Sequence, residues 1–485
     1  MTPDFPSMAC GFSRQARRLR TTTGKPLHQL ESLFDPYIPR HRLAQADDGA
    51  HSRDRCWNLR LVFWTFLWQV AQAGASCREA IRQAQSLCRL HERTVPPDTT
   101  SPYCQARGNL PLERLEDIHR GLCQEAEAGL STRDLWCGHR VQALDGSSCT
   151  LADTPENQAV YPQQSVQKAG CGFPIMTFVA LFSLATGMLT AWATGAWGQQ
   201  ELTLLQMLWD HLRPNDVLLA DRGFGTWGLL AQCHHRKVHA VFRLRGSRRA
   251  DFRRGKQLSR DQRLVQWAKP RARAKTITPE QWALLPDQLS LRLVRCRLDV
   301  KGFRTRQVIL VTTLLDPIKY PPSALSALYL RRWDMELTFR HLKTTLQMEH
   351  LSCTRPDYVE RELRMHLLVH NLIRRVMLQA ARLHRVPLSR VSFAGALAVC
   401  RRYGEALLQA RSKAKRKELL HEITRVIADD AVPQRPGRRE PRAVKRRPKP
   451  YPRLTCHRHH YKEVPHKSRF WAAKAAKKRR KNSKH

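Results

Sequence analysis

Apolar positions change their spacing several times along this chain, and each change marks an element. From Leu59 to Val70 nearly every residue is apolar or aromatic (Leu59, Leu61, Val62, Phe63, Trp64, Phe66, Leu67, Trp68), which predicts a buried helix. Arg78, Arg82 and Arg89 follow on a second helical pattern, and Pro96, Pro97 and Pro102 mark a break. From Val141 the runs shorten. Val141–Leu144 ends at Asp145-Gly146, Ile175–Leu184 predicts a buried strand or pair of strands, and Val217–Ala220 is bounded by Asp216 and Asp221. Val238–Leu244 predicts a further strand, with a helical stretch at Gln200–Leu212 in between. Strands alternating with helices predict a mixed α/β domain.

A basic stretch then interrupts the pattern. Arg243 to Lys275 holds 13 Lys and Arg against two acids, Asp251 and Asp261. Strand character returns at Leu289–Arg297 and Gln307–Thr313, as in a module inserted at about 245–320. Pro321 and Pro322 close it, and Ser323 is placed to cap a long helix. Residues 357 to about 385 form a second strong helix, with Leu363, Leu367, Val369, Ile373, Val376 and Met377 on a broad apolar face. His366 and His370 fall within that face and read as core histidines. Past about residue 430 the core pattern ends. The expected organisation is a helical region at 1–135, an α/β domain at 136–353, a helical region at 354–428, and a basic tail at 429–485 expected to be disordered when free.

Charge narrows the partners. Lys and Arg total 84 against 41 Asp and Glu in 485 residues, a formal net charge of +43. Residues 441–485 alone carry 17 Lys and Arg and one acid, Glu463. Such an excess repels itself unless it faces a polyanion, and double-stranded DNA releases counterions when its phosphates are neutralised. No apolar run is long enough to span a bilayer, so no membrane partner is expected and the location reads as cytoplasmic, beside the nucleoid. The 14 cysteines include no C-x-x-C pair and read as reduced thiols. Cys456, His457, His459 and His460 lack a second ligand pair at zinc-finger spacing.

Candidate chemistry concentrates in Tyr329–Lys343, a helical pattern without Gly or Pro. Tyr329, Arg332, Glu336 and Lys343 fall at steps of 3, 4 and 7 and would share one stripe of a continuous helix, with Trp333 and Leu337 beside it. Alone, such a stripe is equally a solvated face with weak ion pairs. Asp145 and Asp221 alter the balance, because each is expected to end a strand with Gly close behind, although an Asp there is also a common turn cap. Three carboxylates can hold two Mg²⁺ ions, with Mn²⁺ able to substitute, for an in-line phosphoryl displacement. His341 is a further candidate base.

In these residues the chain resembles the DDE transposases of bacterial insertion sequences, the IS-four group, whose Y-(2)-R-(3)-E-(6)-K signature Tyr329, Arg332, Glu336 and Lys343 match throughout. Leu144-Asp145-Gly146-Ser147-Ser148, Asp153-Thr154-Pro155-Glu156-Asn157 and Leu219-Ala220-Asp221-Arg222-Gly223-Phe224 are similar to that family's segments around the first two acids. The resemblance covers roughly 136–376 and implies an RNase H-like catalytic core interrupted by a β-rich insertion. It implies catalytic, metal-binding roles for Asp145, Asp221 and Glu336, and DNA contacts for Tyr329, Arg332, Trp333 and Lys343. It further implies a synaptic homodimer that cuts and joins DNA at terminal inverted repeats. Members that form a hairpin take up a flipped base on a Trp whose position here falls at about Val308, with Trp267 and Trp282 as substitutes. Two other readings remain open on the residues alone: a nuclease of the same fold that cleaves without joining, and a basic DNA-binding protein without catalysis.

Overall fold

In the computed structural model, Val141–Leu151 forms one eleven-residue strand, β1, at the centre of a mixed sheet. The structure describes residues 26, 28–44, 56–168, 170–248, 250–298 and 307–433. The basic tail at 441–485 and the Cys456–His460 cluster lie outside the described residues.

β1 pairs antiparallel with β2 (Ile175–Ser183), which pairs antiparallel with β3 (Leu189–Ala196). On its other side β1 pairs parallel with β4 (Val217–Ala220), and β4 parallel with β5 (His239–Arg243). Ile175–Leu184 is thus one strand, and Asp145 lies within β1, not at its end, because β1 runs on beside β2 after β4 has stopped. The basic segment supplies β6 (Lys256–Ser259), β7 (Gln262–Ala268), β8 (Gln288–Arg297) and β9 (Gln307–Thr312). These extend the same sheet antiparallel from β5, in the order β3-β2-β1-β4-β5-β9-β8-β7-β6, and β10 (His350–Leu351) pairs parallel with the far end of β1. Arg292, fully buried in β8, donates to the carbonyls of Asp316 and Tyr320 at 3.0 and 2.9 Å and so fixes the chain leaving the basic segment.

Alternation along each strand divides the core into two faces. Val141, Ala143, Val217 and Leu219 join a large cluster with the helices of both terminal regions. Leu144, Leu218 and Ala220 face the other way and pack with Leu204, Leu205, Leu229 and Leu230. The predicted aromatic helix is α1 (Leu59–Ala71), followed by α2 (Cys77–Leu90), α3 (Thr100–Gly108) and α4 (Leu112–Ala128). Pro102 sits in the first turn of α3, where its missing N–H costs no helical bond. The second face is covered by α5 (Glu201–Leu205), which runs on into a tighter turn at Gln206–His211, and by α6 (Trp227–His235).

The long helix expected after Pro322 is broken. α7 (Pro322–Leu330) starts at Pro321 with no side-chain cap, so Ser323 does not fill that role. Arg332 N–H bonds back only three residues, to the Tyr329 carbonyl, and a new helix, α8 (Trp333–Arg340), begins. Arg331 meanwhile donates to the Leu184 carbonyl at 2.6 Å, a tertiary bond at the break. A wider π-type turn at His341–Thr345 then ends the segment. α9 (Pro356–Leu383) is the predicted second strong helix and packs against α1, α3 and α4. Its buried Asn371 accepts from Leu189 N–H at 3.0 Å and donates to the Leu189 carbonyl at 2.7 Å, tying the helical layer to β3. His366 and His370 are buried in that layer as expected. α10 (Phe393–Gln409) and α11 (Lys413–Asp429) complete the described chain.

Candidate active site

Leu144 and Ala220 are the last paired residues of β1 and β4, so Asp145 and Asp221 are the next residues of two adjacent parallel strands. Neighbouring strands lie about 4.8 Å apart, and residues in register project to the same side. Both acids therefore belong to the face of Ala143 and Leu219, the one that α8 covers. α8 is seated there by Met335 and Phe339, the latter edge-on to Phe178 and Phe182 of β2 at 5.6 and 5.3 Å between ring centroids. Its opposite side leaves Trp333, Glu336 and Leu337 exposed.

One oxygen of each strand acid is already used. Asp145 Oδ1 accepts from Gly146 N–H at 3.0 Å, and Asp221 Oδ1 from Gly223 N–H at 2.7 Å. The turn-capping role and a pocket-lining role are therefore compatible, since each carboxylate keeps a second oxygen. Burial pushes the Asp145 carboxyl up to about 6; the Gly146 bond and Arg332 oppose this, and the negative charges of Asp221 and Glu201 add to it. Asp216, at the other end of β4, differs: it is buried against Arg140, whose Nε donates to it at 2.8 Å, and is a structural ion pair.

Arg332 links the strands to α8. Its Nη2 donates to Glu336 Oε1 at 3.0 Å, and its charge also acts on Asp145. Burial alone would lower the guanidinium, but Glu336, Tyr329 and Asp145 hold it above its ordinary range. The same guanidinium lies 6.0 Å from the Tyr329 ring and 5.9 Å from the Trp333 ring. Tyr329 is buried, which raises its hydroxyl; Arg332 and Arg243 oppose that rise, and Asp221 adds to it. The structure thus gathers Asp145, Tyr329 and Glu336 around Arg332, with Asp221 acting on Asp145 and Tyr329. Lys343, within the π-type turn, instead acts on Cys149, four residues farther along β1 and about 13 Å from Asp145 at strand rise. The break at Arg332 and the π-type turn mean that the four signature residues do not form one regular stripe.

Other sequence candidates fall elsewhere. His341 stacks on Phe393 at 4.4 Å, and burial, then Arg374 and Arg340, pushes it down to about 3, so it is a packed neutral ring and no base. Val308 is buried on β9 opposite Cys296. Trp282 packs on Trp227 at 5.3 Å, and Arg248 covers Trp267 at 3.9 Å. Thr154 caps a short helix and Asn157 donates to the Cys353 carbonyl at 3.0 Å, so that segment ties the sheet to the approach to α9. Sequence reasoning missed Glu201 and Arg243. Glu201 opens a helix in the middle of a polar stretch, and Arg243 is one of many arginines in its run, so neither stands out locally.

As the side chains stand, no three His, Cys, Asp or Glu groups among the described residues converge on one metal position. The chemistry of the donor set nevertheless fits a hard divalent cation. Asp145, Asp221 and Glu336 offer oxygen alone, the donor type that such an ion takes.

Comparison with known proteins agrees with this chemistry. A family model described as "Transposase DDE domain" matches residues 136–372. The transposase InsG of insertion sequence element IS4, from Escherichia coli K12, is 26% identical over 431 residues, covering 88% of this chain and 94% of that protein. InsZ from the same strain is 28% identical over 131 residues, covering 27% of this chain and 44% of that protein. A piggyBac transposase chain from a synaptic complex with hairpin DNA aligns over 84% of this chain and 87% of that one, with TM-score 0.40 and 10% identity, too distant to bear on the fold.

Proposed function

From the premise that this chain belongs to the DDE transposases of the IS-four family and is a DNA transposase, we propose that it moves its element by cut-and-paste, cleaving and joining strands at terminal inverted repeats. Enzymes of this kind cleave and transfer DNA with divalent metal ions; the ions here are two Mg²⁺, with Mn²⁺ as a substitute. Bound at this site, such a pair supplies charge neutralisation to the attacking and leaving oxygens of an in-line displacement. Asp145, Asp221 and Glu336 would hold it.

The observation that carries the reading is the adjacency of Asp145 and Asp221 on the sheet face that α8 covers, with Arg332 bonded to Glu336 and acting on Asp145. The strand order β3-β2-β1-β4-β5, with an antiparallel β1–β3 and parallel β4 and β5, supports an RNase H-like core carrying a β-rich addition. Arg332 restrains Glu336 in the free protein and is placed to turn its planar fork to a phosphate when DNA arrives. Tyr329 orients Arg332 from below. Trp333 and Leu337, exposed on the same helix, offer apolar contact to a displaced base. Lys343, which acts on Cys149 four residues along β1 from Asp145, meets the DNA backbone near the cut. The helical region at 1–135 engages the element ends, and two copies act together in the synaptic complex. Among the described residues no helix is long and apolar enough to cross a membrane.

The test uses full-length protein, Mg²⁺ and a duplex carrying the ends of its own element. Wild type should release and join the element. Asp145→Asn, Asp221→Asn and Glu336→Gln should each lose both steps while still shifting the duplex in a binding assay. Retained strand transfer in any of the three would falsify the assignment. Pre-cut ends that yield hydrolysis products and no joined species would show a nuclease instead.

A further inference from the structure

We propose that Cys77 and Cys104, in the helical layer of the N-terminal region, are a redox-sensitive thiol pair that a peroxide closes to a disulfide, joining α2 to α3. Cys77 is the first residue of α2, directly after the capping Ser76, and Cys104 lies in the middle of α3. The two are 27 positions apart in the chain. Packing of the helices nevertheless sets their sulfurs 3.8 Å apart, with the Cys104 thiol donating to Cys77 Sγ. A disulfide bond measures about 2.05 Å, so the sulfurs have under about 2 Å to travel. Both side chains are only half-buried, which leaves a small oxidant access to them.

The surroundings make one sulfur the nucleophile and the other its partner. Gln69 Oε1 accepts from the Tyr103 hydroxyl at 2.7 Å and from Arg107 Nη1 at 3.2 Å. That fixes the amide with its Nε2 towards Cys77 Sγ, 3.6 Å away. Cys77 also stands at the positive end of the α2 dipole, a setting that favours a thiolate. The bond from Cys104 holds the Cys77 thiol below its ordinary range; burial opposes this, and Arg107 and Gln69 add to it. Cys104 is held above its range by the same bond and by burial. Cys77 is therefore the sulfur that attacks. Its thiolate takes one oxygen from hydrogen peroxide to give a sulfenic acid, and the other oxygen leaves as water. The Cys104 sulfur then attacks Cys77 Sγ; its proton and the departing hydroxide form a second water. Two thiols thus lose two electrons and two protons, and one peroxide becomes two waters. The neighbouring thiol of Cys353 is buried and engaged by Arg107 Nη2 at 3.2 Å.

Hydrogen peroxide is the probe, added to reduced full-length protein at neutral pH. Remaining thiols are then alkylated and the peptides mapped by mass spectrometry without reduction. Wild type should yield a peptide pair joined through Cys77 and Cys104 that dithiothreitol separates. Cys77 should escape alkylation at a peroxide dose about tenfold lower than the exposed Cys137 and Cys171 require. Cys104→Ser should leave a sulfenic acid at Cys77 that dimedone traps, and Cys77→Ser should leave Cys104 open to alkylation. Protein unfolded in urea before the peroxide is added should lose the preference for this pair. Wild type that gives no Cys77–Cys104 peptide at a dose oxidising Cys137 and Cys171 overturns the proposal. So does wild type in which Cys77 is joined to Cys353 instead.

Discussion

Arg332 holds Glu336 one helical turn away at 3.0 Å, and the same guanidinium acts on Asp145 across the gap between α8 and β1. The side chain therefore has two roles, restraining an acid of α8 and balancing an acid of the sheet. Arg332→Ala should slow strand cleavage by roughly a hundredfold or more, the scale of losing one preorganised charged donor. Arg332→Lys should recover little, because an ammonium cannot span two oxygens as a planar fork does. Single-turnover cleavage of a labelled end measures both variants; wild-type rates in Arg332→Ala would remove it from the site.

Phe339 sets the height of α8 above the sheet through its edge contacts with Phe178 and Phe182. Phe339→Ala should destabilise the protein by about 3–5 kcal/mol, measured as a shift of the denaturant midpoint. Phe339→Leu should cost less in stability, yet still slow cleavage, since Glu336 rides on the same helix. Unchanged cleavage in Phe339→Leu would show that the position of α8 is not critical.

Four buried histidines make the fold sensitive to acid. Burial pushes His28, His119 and His341 down to about 3 and His366 to about 4. Their folded pKa values lie below the unfolded value near 6.5, so between these limits the unfolded chain binds more protons. The stability they confer is complete above about pH 6.5 and is lost as pH falls towards 3–4, each ring contributing up to about 1.4 kcal/mol per pH unit. Urea midpoints measured from pH 7 to pH 5 should fall steeply. A flat profile would mean that these rings accept protons in the folded state.

Residues 441–485 carry 17 basic side chains and lie outside the described part of the chain. Deleting them should weaken binding to specific and unrelated duplexes alike. It should also flatten the dependence of log affinity on log salt by about 0.9 for each phosphate that the tail had neutralised. An unchanged slope would show that the tail does not meet the backbone.

Local pattern alone determined much of this protein. The apolar runs of β1, β2, β4, β5, β8 and β9 and the long face of α9 were legible because burial of one face imposes a period on neighbouring residues. The net charge pointed to a polyanion, and the spaced Tyr329, Arg332, Glu336 and Lys343 pointed to a chemistry. Tertiary structure decided the rest. Asp145 sits inside a strand because β1 finds β2 beyond the point where β4 ends, and the basic segment extends the sheet because β9 pairs with β5. The helix breaks at Arg332, where a bond from Arg331 to Leu184 anchors the turn, with neither Gly nor Pro to announce it. Glu201 meets Gly146 from 55 positions away. Encounters of that kind depend on which elements become neighbours, and a chain's local periodicity records only which of its faces is buried.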